Sequence, residues 1–98
     1  MPALTIIITN KADKDEIAIY KYISNEFGEV YAKKFRKKLI SLFHILSTQP
    51  FIGRPAKNDS SIRVIIISKQ NKIIYKIQDE SVIIIRFLNT NTNLSKNF

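Results

Sequence analysis

Residues 20–55 read YKYISNEFGEVYAKKFRKKLISLFHILSTQPFIGRP, and the fold turns on this stretch. A helix ends at Gly28, whose missing side chain suits a C-terminal cap. A second, longer helix follows from about Glu29 to Ser47. Its residues Ala32, Phe35, Leu39, Leu42 and Leu46 recur at helical spacing and form one seam. Pro50, Gly53 and Pro55 then forbid its continuation. Two helices joined by so short a break fold back as an antiparallel hairpin. Ile40, Phe43 and Ile45 lie off the seam, so the second helix is apolar on more than one side. The sheet can take part of that second side, and a partner protein the rest.

Upstream, Ala3–Thr9 (ALTIIIT) is short and β-branched and reads as a first strand. The first helix starts at about Lys11 or Asp13 and runs to Phe27. Asn10 with Asp13, or Asp13 with Glu16, offers a capping pair. Ile17, Tyr20, Ile23 (or Ser24) and Phe27 give its buried stripe. Downstream, Gln49–Ser60 reads as a loop. Ser61–Ser68, Lys72–Gln78 and Ser81–Asn89 read as strands, with tight turns at Lys69-Gln70-Asn71 and Asp79-Glu80-Ser81. These three form an antiparallel meander. Asn89–Phe98 (NTNTNLSKNF) is a polar tail. The expected architecture is α+β, in the order β-α-α-β-β-β, with a helical hairpin packed on a twisted, mainly antiparallel sheet.

The 98 residues fit a single domain spanning 1–98, and an apolar share of 45% is enough for a core. No apolar run approaches the roughly 18 residues of a membrane span. The N-terminus turns acidic at once and reads as a strand, not a signal peptide. With no cysteine, disulfides and thiolate metal sites are excluded. A cytoplasmic location is expected. The net charge is +8, unevenly distributed. Residues 1–32 carry three lysines against five acids, whereas residues 33–53 carry five basic residues and no acid, all within Lys33-Lys34-Phe35-Arg36-Lys37-Lys38. Residues 54–98 carry eight basic residues against Asp59, Asp79 and Glu80. Such a field attracts polyanions. It is equally what a solvated helix face would show.

The Y-I-x-x-x-F-G opening (Tyr22 to Gly28), the seam from Ala32 to Leu46 and the P-x-x-G-R-P stop (Pro50 to Pro55) occur in a fixed order. Ile62-Arg63, Ile74-Tyr75 and Val82-Ile83-Ile84-Ile85-Arg86 follow. Together they resemble the RelE/ParE superfamily of toxins from bacterial type II toxin–antitoxin systems, plasmid-stabilisation proteins among them, over about residues 3–93. The resemblance implies a small toxin without a cofactor, held inactive in a hetero-oligomer with a cognate antitoxin. It leaves the target open, DNA gyrase for ParE-like members or the ribosome with its mRNA for RelE-like members.

Metal-free RNA cleavage needs groups that activate the 2′-hydroxyl, stabilise the phosphate and protonate the leaving oxygen. His44 is the only histidine and reads as structural. The acids belong to a helix start and a turn, so no metal site is expected. The resemblance points to Arg63 and Arg86 as catalytic residues if the chain is a nuclease. Their alternative reading is a strand surface charge, or a pair with Asp59 or Glu80. Arg54, Lys57, Lys72 and Lys76 are candidates for phosphate or target binding, since guanidinium and ammonium groups donate to phosphate oxygens. Tyr75 reads as core or as a proton-transfer group. No tyrosine follows Arg86, and Asn91 stands where related tails often carry arginine. These departures argue against an efficient nuclease and favour ParE-like inhibition of gyrase by binding. A RelE-like mRNA endonuclease and a degenerate, non-toxic member are the alternatives. All three share an antitoxin, expected to dock on Ile40, Phe43 and the exposed sheet face.

Overall fold

The computed structural model describes residues 3–89. The expectations for the tail beyond Asn89, including Asn91, lie outside the described residues. The elements are β1 (Thr5–Ile8), α1 (Asn10–Phe27), α2 (Glu29–Thr48), β2 (Arg54–Pro55), β3 (Ile62–Ile66), β4 (Asn71–Gln78) and β5 (Ser81–Asn89). They form one five-stranded sheet in the order β1-β5-β4-β3-β2. β3, β4 and β5 are the expected antiparallel meander, and β1 joins β5 in parallel. The parallel pair is possible because the helical hairpin supplies the long crossover it needs. The β4–β5 turn places Asp79 at φ 57°, a left-handed position that Asp tolerates.

Three local expectations are corrected. Arg54–Pro55, read as loop, is a two-residue edge strand paired with Val64 and Arg63 of β3. An edge accepts Pro55 because its missing N–H can face away from the ladder. The N-cap of α1 is Thr9, not Asn10 or Asp13: its Oγ1 accepts from the Ala12 N–H at 3.1 Å and donates to the Ile85 carbonyl at 2.9 Å. One hydroxyl thereby ends β1, starts α1 and ties both to β5. The buried stripe of α1 is also rotated. Ala12 is fully buried and Ile19 and Ile23 pack on the core, while Ile17 and Phe27 are 41% and 62% exposed.

Gly28 closes α1 and opens α2. Its N–H donates to the Ser24 carbonyl and its own carbonyl accepts from Ala32. Its backbone, at φ 101° and ψ 160°, is open to glycine alone among common residues. On α2, Ala32, Phe35, Leu39 and Leu46 are buried as the seam requires, with Leu42 half-buried. Phe35, Leu39, Leu42 and Leu46 pack in one core with Ile73, Tyr75, Val82, Ile84 and Phe87 of the sheet. Alternation along β4 turns Ile73, Tyr75 and Ile77 to the helices and Lys72, Ile74 and Lys76 to the other face. A β-bulge between Ile74 and Tyr75 resets the β4–β5 register, so that Tyr75 faces Ile84 and Ile74 faces Arg86. Among the described residues, no helix is long and apolar enough to cross a membrane.

Candidate functional site

The P-x-x-G-R-P segment is bound to the sheet by a pair of cross-strand neighbours, Arg63 of β3 and Tyr75 of β4. The Tyr75 hydroxyl donates to the Pro50 carbonyl at 2.7 Å and accepts from the Gly53 N–H at 2.9 Å. A Cβ on Gly53 would sit 2.5 Å from that hydroxyl oxygen, so only glycine permits the approach. The Arg63 guanidinium donates to the carbonyls of Gly53 at 2.7 Å and Phe51 at 3.3 Å, and it lies 4.9 Å from the centre of the Phe51 ring. Burial, first of all, raises the Tyr75 pKa above its ordinary value, against the opposing effects of Gly53 and Arg63. The phenol is therefore a stable donor. The sequence placed Tyr75 in the core, where it is, but its grip on the loop was not foreseen. The one signal in the sequence is a phenol set between Ile73 and Ile77 on the helix-facing side of β4, with Gly53 in the loop before it.

Arg86 is engaged elsewhere. Its Nε donates to Asp15 Oδ2 at 2.7 Å and its Nη2 to Oδ1 at 3.1 Å. The hydrogen bond to Asp15 is the first cause holding its pKa above the ordinary value. Asp15 also accepts the Phe87 N–H at 3.1 Å. Arg63 and Arg86 are thus not brought together around one point: one holds the loop below α2, the other holds α1 to β5.

The remaining basic candidates fall into register rows. Arg54, Val64, Ile74 and Arg86 are successive cross-strand partners, as are Ile62, Lys76 and Ile83. Arg54 and Lys57 are exposed, Lys76 is half-buried and Lys72 is only 7% exposed. Ile74, at the centre of this face, is fully buried. Asp59 holds the loop before β3. Its carboxylate accepts from the Ser61 hydroxyl and N–H, and these bonds, in that order, lower its pKa. His44 is exposed on α2. Among the described residues, no group of three or more His, Cys, Asp or Glu is placed to hold a metal ion.

The two residues expected to meet an antitoxin share a groove. It has a volume of about 200 Å³ and is walled by Ile8, Leu39, Ile40, Phe43 and Phe87, with Asp13, Glu16 and Arg36 at its polar side. Phe43 is half-buried, its ring centre 6.3 Å from that of Phe87, so it serves the core as well as the groove. Ile40 is 62% exposed and makes no such compromise. Arg36 borders the groove, bonded to Glu16 at 3.1 Å and stacked 4.4 Å from the Tyr20 ring centre.

Comparison with known proteins places this architecture. The family model for the ParE toxin of the type II toxin–antitoxin system, parDE, matches residues 6–94, and the chain belongs to that family. It is thus a toxin of the ParE family, from a type II toxin–antitoxin module. Among solved structures it is similar to the chromosomal ParDE system of P. aeruginosa, at 19% identity and a TM-score of 0.75, covering 89% of this chain and 96% of that one. The YoeB dimer of Staphylococcus aureus is similar at 21% identity and a TM-score of 0.62, over 92% and 99% of the two chains. The RelBE2 toxin–antitoxin complex of Mycobacterium tuberculosis follows at 20% identity and 0.60, over 89% and 98%. At these identities the structural likeness speaks to the fold. No protein with a curated description matches the sequence.

Proposed function

We propose that this toxin arrests growth in the cytoplasm by binding DNA gyrase, and that a cognate antitoxin neutralises it. The observation that carries the choice of target is the engagement of both arginines. Arg63 is tied to the Gly53 and Phe51 carbonyls and Arg86 to Asp15. A phosphate-stabilising guanidinium needs its donors aimed at the reacting phosphate, and these donors are aimed at the fold. A toxin that acts by binding needs no such alignment. It needs an exposed surface, and Ile40 with the groove beside it provides one. Solved relatives that are toxin–antitoxin complexes support an antitoxin partner. In this reading its apolar segment seats on Ile40 and Phe43, where burial of the groove adds stability by mass action.

Supercoiling by purified gyrase, titrated with the purified toxin and then with antitoxin, tests the reading. Loss of supercoiling restored by antitoxin is the expected result. Unaffected supercoiling at excess toxin, with growth arrest in cells, overturns it.

A second reading rests on a separate observation. Arg54 and Lys76 occupy register positions on the sheet face turned from the helices. With Lys57 in the adjoining loop, they form a basic surface suited to mRNA on the ribosome. New mRNA 5′ ends in register with codons, appearing soon after induction, would favour it. Induction without growth arrest would leave a non-toxic antitoxin-binding member.

A further inference from the structure

The four lysines of α2 are the strongest feature that neither reading uses. Lys33, Lys34, Lys37 and Lys38 are all exposed. At about 100° per residue they share an arc of about 140°, centred nearly opposite the seam of Ala32, Phe35, Leu39 and Leu46. Among the described residues none of them is in an ion pair. Arg36, in their midst, is turned aside to Glu16 and Tyr20.

This arrangement works against the helix that carries it. Lys33 with Lys37 and Lys34 with Lys38 are like charges at i,i+4, which repel. All four lie in the N-terminal half of Glu29–Thr48, while the last turn, where the helix dipole favours cations, has no basic residue. Solubility alone is served as well by lysines at the C-terminal end or interleaved with acids. A cluster that costs helix stability is explained by a polyanion that relieves the repulsion. The lysines span about 7.5 Å of helix axis, and duplex DNA presents a phosphate about every 3.4 Å along each strand. The groove beside Ile40 opens elsewhere on the helix, and none of the four lysines lines it.

We infer that the Lys33-Lys34-Lys37-Lys38 stripe of α2 binds the phosphate backbone of duplex nucleic acid without regard to sequence. Contacts to phosphate oxygens carry no sequence information, so DNA and RNA duplexes of equal length are expected to bind alike.

The test is fluorescence anisotropy of the full chain with a random-sequence DNA duplex, an RNA duplex and polyglutamate, at several salt concentrations. Four phosphate contacts predict roughly a hundredfold loss of affinity between about 50 and about 200 mM salt. The quadruple Lys→Gln variant keeps the helix, since Gln is a good helix former and removes the repulsion. It should lower the salt slope by about 0.9 for each lysine removed. A control replacing Lys11, Lys14 and Lys21 of α1 by Gln should keep most of the slope. Binding unchanged in the quadruple variant, no binding of duplex DNA, or polyglutamate bound as tightly as the duplexes would each overturn the proposal.

Discussion

Asp15 of α1 takes the place of a strand at the edge of β5, and Arg86 holds it there. β1 pairs with β5 only as far as Ile84. Beyond that point the Phe87 N–H would face an empty edge. The Asp15 carboxylate accepts it at 3.1 Å and accepts two further bonds from Arg86. Thr9 caps α1 and donates to the carbonyl of Ile85, two residues earlier on β5. The helix therefore enters along the sheet edge under two side-chain contacts, and this fixes the rotation that buries Ala12 and Ile23 and exposes Ile17.

Replacing Asp15 by Ala should destabilise the fold by about 2–3 kcal/mol, because charged hydrogen bonds are lost and the Arg86 guanidinium and Phe87 N–H are left unpaired. Asp15→Asn keeps one acceptor and should cost less. Arg86→Ala in the Asp15→Ala background should add little, since the pair acts as a unit. Urea unfolding of the four proteins in the cycle measures this, and additive losses would refute the pairing.

The loop clamp makes a second prediction. Tyr75→Phe removes a hydroxyl that both donates to Pro50 and accepts from Gly53, and should cost about 1–3 kcal/mol. Gly53→Ala forces a Cβ against the Tyr75 ring and should cost about as much by overpacking. Both changes should speed proteolysis in the segment around residues 50–60 before they affect the rest of the chain. Uniform loss of protection across the sheet would mean that the clamp is not local.

The helices and the meander were legible because their signals are periodic: the Ala32-to-Leu46 seam and the β-branched runs leave little choice of element. The family was legible through motif order. Most of what was not legible depends on a partner that lies far along the chain. Asp15 reads as a helix-start acid until Phe87 is beside it, and Pro55 reads as a loop breaker until β3 shows it an open edge. Arg63 and Arg86 stood out in the sequence through the resemblance, but only the fold shows what their guanidinium groups hold.

Alkaline pH gives a third prediction. Burial raises the Tyr75 pKa above its ordinary value of 10.0. A folded-state pKa above the unfolded one means that the folded chain keeps its proton longer. The resulting stabilisation is complete below the unfolded value and fades as pH rises through the folded one. Urea midpoints should therefore fall more steeply above about pH 10 in the wild type than in Tyr75→Phe, which lacks the titrating group. Parallel curves would show that Tyr75 titrates as if exposed.

Ile40 separates the interface from the fold. Its side chain is 62% exposed at the rim of the groove, so Ile40→Glu should change stability by no more than about 0.5 kcal/mol. Phe43→Ala, which also removes the contact with Phe87, should cost clearly more. Both should weaken the antitoxin complex, because a carboxylate or a void in an apolar groove is not repaid by the partner. Isothermal titration with the cognate antitoxin, alongside thermal unfolding of the free toxin, distinguishes the two effects. Full affinity in the Ile40→Glu protein would move the antitoxin off this groove, whatever the target of the toxin proves to be.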